Sequence, residues 1–217
     1  MSMKIGILGT GVVGRTIGTK LISLGHEVEI GSRTPERSPA RRWVLENGNR
    51  ASLSTLAGAA SFGELLFNCT AAVGAIEALR MAGEGNIVGK ILIDTTNPFV
   101  DPGGTYAFAG ICATDSLGEQ IQRAFPHVRL VKTLNTVSYN VMVEPSLIPG
   151  EHDMFVSGND PSAKDEVIRI LKDWFGWKSV IDLGDITGAR SQESILPFLI
   201  RLMRINKSSR IGIKITR

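Results

Sequence analysis

An α/β fold built on a doubly wound, mostly parallel sheet is predicted for this chain of 217 residues by three observations. Short apolar runs recur along most of its length. Stretches with helical periodicity separate them, and that alternation builds right-handed βαβ units. A glycine-rich turn joins the first apolar run to the first periodic stretch. With 43% hydrophobic and 21% charged residues, the chain has the make-up of an ordinary domain with a sizeable core.

The expected strands are residues 4–8, 27–30, 64–69, 90–94, 128–134, 154–157 and 179–183. The expected helices are 12–24, 39–46, 73–81, 116–124 and 161–174. Residues 186–206 read as one further helix, apolar almost all round from Ile195 to Ile205. A helix of that kind must be buried, and a second subunit is the expected cover. The chain therefore divides into a dinucleotide-binding domain, 1–184, and a C-terminal helix with a basic tail, 185–217.

Charge follows the same division. The net charge is +3, yet residues 195–217 hold six basic side chains and no acids, which leaves a slightly acidic body. Nucleic-acid binding by the body is not expected. No apolar run is long enough to span a membrane, the first residues carry no signal-peptide pattern, and a cytoplasmic protein is expected. Cys69 and Cys112 are expected as free thiols in a reducing compartment. No His/Cys cluster has the spacing of a metal site.

The most informative motif is Gly9-Thr10-Gly11-Val12-Val13-Gly14. It follows the first strand and opens the first helix, the setting of the dinucleotide fingerprint in a Rossmann-type fold. Gly9 serves the turn, Gly11 lets a pyrophosphate approach, and Gly14 lets the helix pack. Cofactor choice falls to the end of the second strand. Glu29 lies inside that strand, whereas Ser32 and Arg33 stand at its tip and Arg37 follows one turn later. A hydroxyl and guanidinium groups suit a 2′-phosphate, so the expected cofactor is NADP(H).

A general acid is harder to find. His26, His127 and His152 each precede a strand, which places them at the sheet edge away from the cofactor, as solvent-facing loop residues. Neither Tyr106 nor Tyr139 has a lysine four positions later. Small, polar turns end the later strands: Asn68-Cys69-Thr70-Ala71, Asp94-Thr95-Thr96-Asn97-Pro98 and Leu134-Asn135-Thr136. They suit a flat ring that takes a hydride without acid–base help. No catalytic side chain and no metal is assigned. The competing expectations are a non-catalytic NADP(H)-binding redox sensor and a conventional carbonyl reductase.

The fingerprint, Gly31-Ser-Arg, Asn135-Thr-Val, Asp182-Leu-Gly-Asp with Arg190 and Glu193-Ser194, and the Gly212-Ile-Lys close form one ordered set. In this set the chain resembles the coenzyme F420-dependent NADP reductase family along nearly its whole length. The resemblance implies a dimeric enzyme exchanging hydride between NADP(H) and a deazaflavin. By position, Thr10, Val12, Val13, Ser32, Arg33 and Arg37 would hold NADP. Thr70, Ala71, Asn97 and Pro98 would border the nicotinamide, and Asn135, Arg190 and Ser194 the acceptor. Archaeal members carry His at Asn135 and a hydroxyl at Leu196. The resemblance extends to the cofactor domain of membrane ferric reductases that use a flavin, so coenzyme F420, FMN and FAD all stand as acceptors.

Overall fold

A computed structural model describes residues 2–100, 107–108 and 114–216. Tyr106 and Cys112 lie outside these residues. Ten strands are present among them: β1 (Lys4–Leu8), β2 (Glu27–Ser32), β3 (Ala51–Thr55), β4 (Leu65–Asn68), β5 (Ile91–Asp94), β6 (Phe99–Val100), β7 (Ala107–Phe108), β8 (Arg129–Thr133), β9 (Asp153–Ser157) and β10 (Ser179–Asp182). The helices are α1 (Val12–Ser23), α2 (Ala40–Asn47), α3 (Leu56–Phe62), α4 (Ala75–Ala82), α5 (Glu84–Ile87), α6 (Leu117–Ala124), α7 (Tyr139–Val143), α8 (Pro161–Asp173), α9 (Ala189–Ser194) and α10 (Leu196–Asn206).

Eight strands form one sheet in the order β10-β9-β8-β5-β4-β1-β2-β3, and β6 and β7 pair separately. The six strands from β8 to β3 run parallel. β9 pairs antiparallel with β8, and β10 follows β9. The chain order reverses between β1 and β4, the switch point at which such sheets bind ligands. Two apolar cores cover the two faces. Ile5 and Ile7 of β1 feed one, and Leu8 feeds the other.

The expected strands are all present, with ends shifted by one or two residues. β3 and α3 were not expected. Their sequences, Ala-Ser-Leu-Ser-Thr and Leu-Ala-Gly-Ala-Ala-Ser-Phe, show weak alternation and many small residues. Those small residues have a packing reason. A Cβ at Gly6 would lie 2.2 Å from the Ala59 carbonyl oxygen, so α3 sits directly on the β1 backbone. Glycine tolerance at one strand and small side chains on the facing helix are two sides of one contact.

Residues 186–206 are not one helix. A short 3₁₀ turn, Ile186–Gly188, precedes α9, and the chain breaks at Ile195 before α10. Pro197 accounts for the break, because its ring cannot follow an uninterrupted helix and fits only the first turn of a new one. In α10 only Leu196 and Leu199 are buried, while Phe198 and Ile205 are 59% and 64% exposed. The tail returns to the sheet, where Ile213 bridges Asp153 and Lys214 pairs with Glu151 and Asp153. No helix among the described residues is long and apolar enough to cross a membrane.

The histidines need two corrections. His26 is 4% exposed, not solvent-facing: its Nδ1 accepts from the Met3 amide at 3.2 Å, and its ring lies 4.3 Å from that of Trp174. Burial, the N-terminal amine and Arg50 all lower its pKa. His152 precedes β9, which runs against its neighbour, so it stands at the carboxyl edge of the parallel strands rather than the opposite edge. It faces a separate cavity of about 260 Å³ beside Trp177. His127 is exposed, as expected.

Candidate active site

A groove of about 740 Å³ follows the carboxyl ends of β1, β2 and β4. Gly9, Thr10 and Gly11 form its floor, Ser32, Arg33 and Arg37 one end, and Cys69, Thr70 and Ala71 the opposite wall. The three fingerprint glycines are there for different reasons. Gly9 has φ +118°, and a Cβ on it would lie 2.5 Å from the Cys69 carbonyl oxygen. At Gly14 a Cβ would lie 2.4 Å from the Gly9 carbonyl oxygen. Gly11 differs: a Cβ there would meet nothing within 4 Å. The folded chain does not require glycine at that point, and the floor there is open.

The amino end of α1 points at the same place. Its N-cap is Gly11, no side chain caps it, and its first turn holds no acid. The free N–H groups of Val12, Val13 and Gly14 and the helix dipole favour a phosphate there. At the β2 end, Glu29 does not face the groove. Its carboxylate accepts from Ser52 at 2.9 Å and from Ser54 at 2.5 Å across to β3. The tip is thus left to Ser32, whose Oγ accepts the Thr34 amide, and to the exposed Arg33 and Arg37. These residues fit a dinucleotide with a 2′-phosphate.

Asn97 lies outside the groove lining and is locked to Asn135. Each side-chain amide donates to the other residue, at 3.0 Å both ways. Asn135 also donates to the Gln192 carbonyl at 2.9 Å and is 1% exposed. Leu134, with φ +64°, makes the turn that aims it there. The structure thus uses Asn135 to join β5, β8 and α9, with its side-chain donors already committed. Pro98 follows Asn97 on the same edge. Arg190 grips Glu119 with two hydrogen bonds, one of 2.7 Å from Nε, which holds the Glu119 carboxyl below its usual range. Ser194 is exposed at the end of α9.

Beneath this edge lies a charged cluster that sequence reasoning missed. Lys132 Nζ donates to Asp94 at 2.9 Å and to the Thr96 carbonyl at 2.6 Å, and pairs with Glu193 at 2.9 Å. None of the three charged side chains is exposed. Glu193 also accepts from the Leu117 and Gly118 amides at 2.8 and 3.1 Å, the amino end of α6. One ammonium and a helix terminus thus balance two carboxylates. The available signal was Lys132 itself, a cation inside an apolar strand that can only be buried with partners.

Burial pushes the Cys69 thiol up to about 12, although Thr95 donates to the sulfur at 3.7 Å. Among the described residues no cluster could hold a metal ion. The described residues that line the groove include no His, Lys or Tyr.

Residues 4–98 match the family described as NADP oxidoreductase, coenzyme F420-dependent. The F420-dependent NADP reductase of Methanothermobacter marburgensis is 31% identical over 223 residues, which cover 99% of this chain and 98% of that one. That of Methanocaldococcus jannaschii is 28% identical over the same shares. The metalloreductase STEAP3 of Rattus norvegicus is 26% identical over 88% of this chain and 36% of its own length. Among solved structures, a chain from Arthrobacter sp. FB24, provisionally named an F420-dependent NADP reductase, is 44% identical with a TM-score of 0.93 over 100% of both chains. An imine reductase from Myxococcus stipitatus, 16% identical with a TM-score of 0.66 over 95% of this chain and 63% of its own, shares the fold. By full-length similarity to these reductases the chain belongs to the coenzyme F420-dependent NADP oxidoreductase family, and it is an NADP oxidoreductase.

Proposed function

We propose that this enzyme passes a hydride between NADP(H) and a deazaflavin such as coenzyme F420, or a closely related flavin ring. Gly9, Thr10, Gly11 and the first turn of α1, through Val12, Val13 and Gly14, hold the pyrophosphate. Ser32, Arg33 and Arg37 hold the 2′-phosphate by charge-assisted bonds. Thr70 and Ala71 border the nicotinamide, with Asn97 and Pro98 at the next strand end. When bound, the nicotinamide supplies or accepts the hydride. The chain's task is to hold two rings face to face at near-attack distance and to keep water out.

One observation carries this reading: the described residues that line the groove include no His, Lys or Tyr to serve as a proton donor, and burial raises the Cys69 thiol far above neutral pH. Lys132 is sealed below with all three N–H groups engaged. Reduction of an ordinary carbonyl needs a proton at the developing alkoxide; a deazaflavin or flavin ring takes hydride with little such help.

Residues 185–217 form the acceptor side in this reading. Arg190 and Asn135 act by fixing α9 against β8 and α6, and Ser194 faces the acceptor. The exposed Phe198 and Ile205 of α10 are where a second copy would seat in a dimer. The test mixes the protein with NADPH and, in turn, oxidised F420, FMN and FAD, and follows the NADPH absorbance. Oxidation with at least one acceptor supports the reading, and no oxidation with any of them defeats it.

A further inference from the structure

The buried cluster fixes the direction of a hydrogen-bond chain that ends in the groove. Lys132 has only protons to give, and Asp94 receives one at 2.9 Å. Thr96 adds its hydroxyl to the same carboxylate, at 2.9 and 3.1 Å to the two oxygens. Asp94 Oδ1 is therefore an acceptor, and the Asn68 group facing it at 2.9 Å is the amide nitrogen. That orientation turns Asn68 Oδ1 toward Thr70.

A second constraint agrees from the other end. The Thr70 backbone N–H, which can only donate, points at the same Oδ1 at 3.4 Å. The Thr70 hydroxyl lies 2.7 Å from it. An amide oxygen cannot donate, so the single hydroxyl proton of Thr70 goes to Asn68. Asn68 and Asp94 are fully buried, so water does not rescue a reversed chain, and reversal would leave a buried group unpaired.

We propose that Thr70 consequently presents lone pairs, and no donor, to the groove, making it a specificity residue for an N–H or O–H on the distal half of NADP(H). It takes no phosphate oxygen, which is itself an acceptor. Two donors of that half share this chemistry, a ribose hydroxyl and the carboxamide NH₂. The proposal rests on NADP(H) lying in the groove as described above.

The test titrates three ligands into the wild type, Thr70→Val and Thr70→Ser: NADPH, 2′-phospho-ADP-ribose, which lacks the nicotinamide, and 2′,5′-ADP, which also lacks the distal ribose. Thr70→Val is expected to weaken NADPH about tenfold, the scale of one hydrogen bond whose donor is left unpaired. It should leave 2′,5′-ADP unchanged, and Thr70→Ser should restore NADPH affinity. A matching loss for 2′-phospho-ADP-ribose assigns the bond to the ribose hydroxyl, and no loss assigns it to the carboxamide. Thr70→Val binding NADPH as the wild type does, or losing all three ligands alike, overturns the proposal. A wild type that binds none of the three would instead overturn the cofactor reading beneath it.

Discussion

Lys132 on β8 and Glu193 on α9 meet at 2.9 Å with neither side chain exposed. This contact ties the C-terminal segment into the sheet below the candidate acceptor side. Removing the cation while leaving the two carboxylates buried is the costly change. Lys132→Met should lower stability by about 3–5 kcal/mol, the usual cost of breaking a buried pair from one side. Urea unfolding of the variant and the wild type reads this directly, and an unchanged midpoint would show that the cluster is not ionised as described.

The three fingerprint glycines should separate into two classes. Gly14→Ala meets the Gly9 carbonyl oxygen and should cost about 1–3 kcal/mol as an overpacked contact. Gly11→Ala meets no protein atom within 4 Å, and should keep stability within about 0.5 kcal/mol while losing NADPH affinity. Thermal melts with and without NADPH distinguish them. If Gly11→Ala binds NADPH normally, the pyrophosphate does not lie on that floor.

Arg33 should discriminate between the two nicotinamide cofactors. Arg33→Ala is expected to weaken NADPH by roughly tenfold to a hundredfold, the scale of a charge-assisted bond, with little change for NADH. Calorimetric titration with both cofactors checks it, and equal losses would contradict the assignment of the β2 tip to the 2′-phosphate.

His26 gives a pH dependence with a definite sign. Burial leads the lowering of its pKa from 6.5, so the fold favours the neutral ring. Its contribution is complete above about 6.5 and is lost as the pH falls below that value. The wild-type melting temperature should therefore drop between pH 7 and pH 5 more steeply than that of His26→Gln, which keeps an acceptor for the Met3 amide. Parallel slopes would assign the acid sensitivity elsewhere.

Much of this architecture is legible from the residues, and the exceptions have physical causes. The Gly9–Gly14 turn, Ser32 and Arg33 can be read because each stands in a recognisable local geometry: a turn, a helix terminus, a strand tip. β3 and α3 are obscure because small side chains, which signal little alone, become informative only when Gly6 is seen beneath Ala59. The break at Ile195 was available from Pro197. The reversal of β9 was not, and it moved His152 to the opposite edge. The polar cluster was hidden because Asp94, Lys132 and Glu193 come from three distant segments. Asn135 shows the remaining limit: its position at a strand end makes it a candidate, but only the structure reveals that its donors are already taken by Asn97 and Gln192.

The most direct test of the central claim is a single turnover of C4-deuterated NADPH against oxidised F420 in ordinary water. Direct hydride transfer without a protein relay predicts acceptor reduction, with the deuterium from the transferring face of NADPH recovered on the reduced deazaflavin carbon. No reduction of F420 would contradict the deazaflavin as acceptor, and release of that deuterium to water would contradict direct transfer.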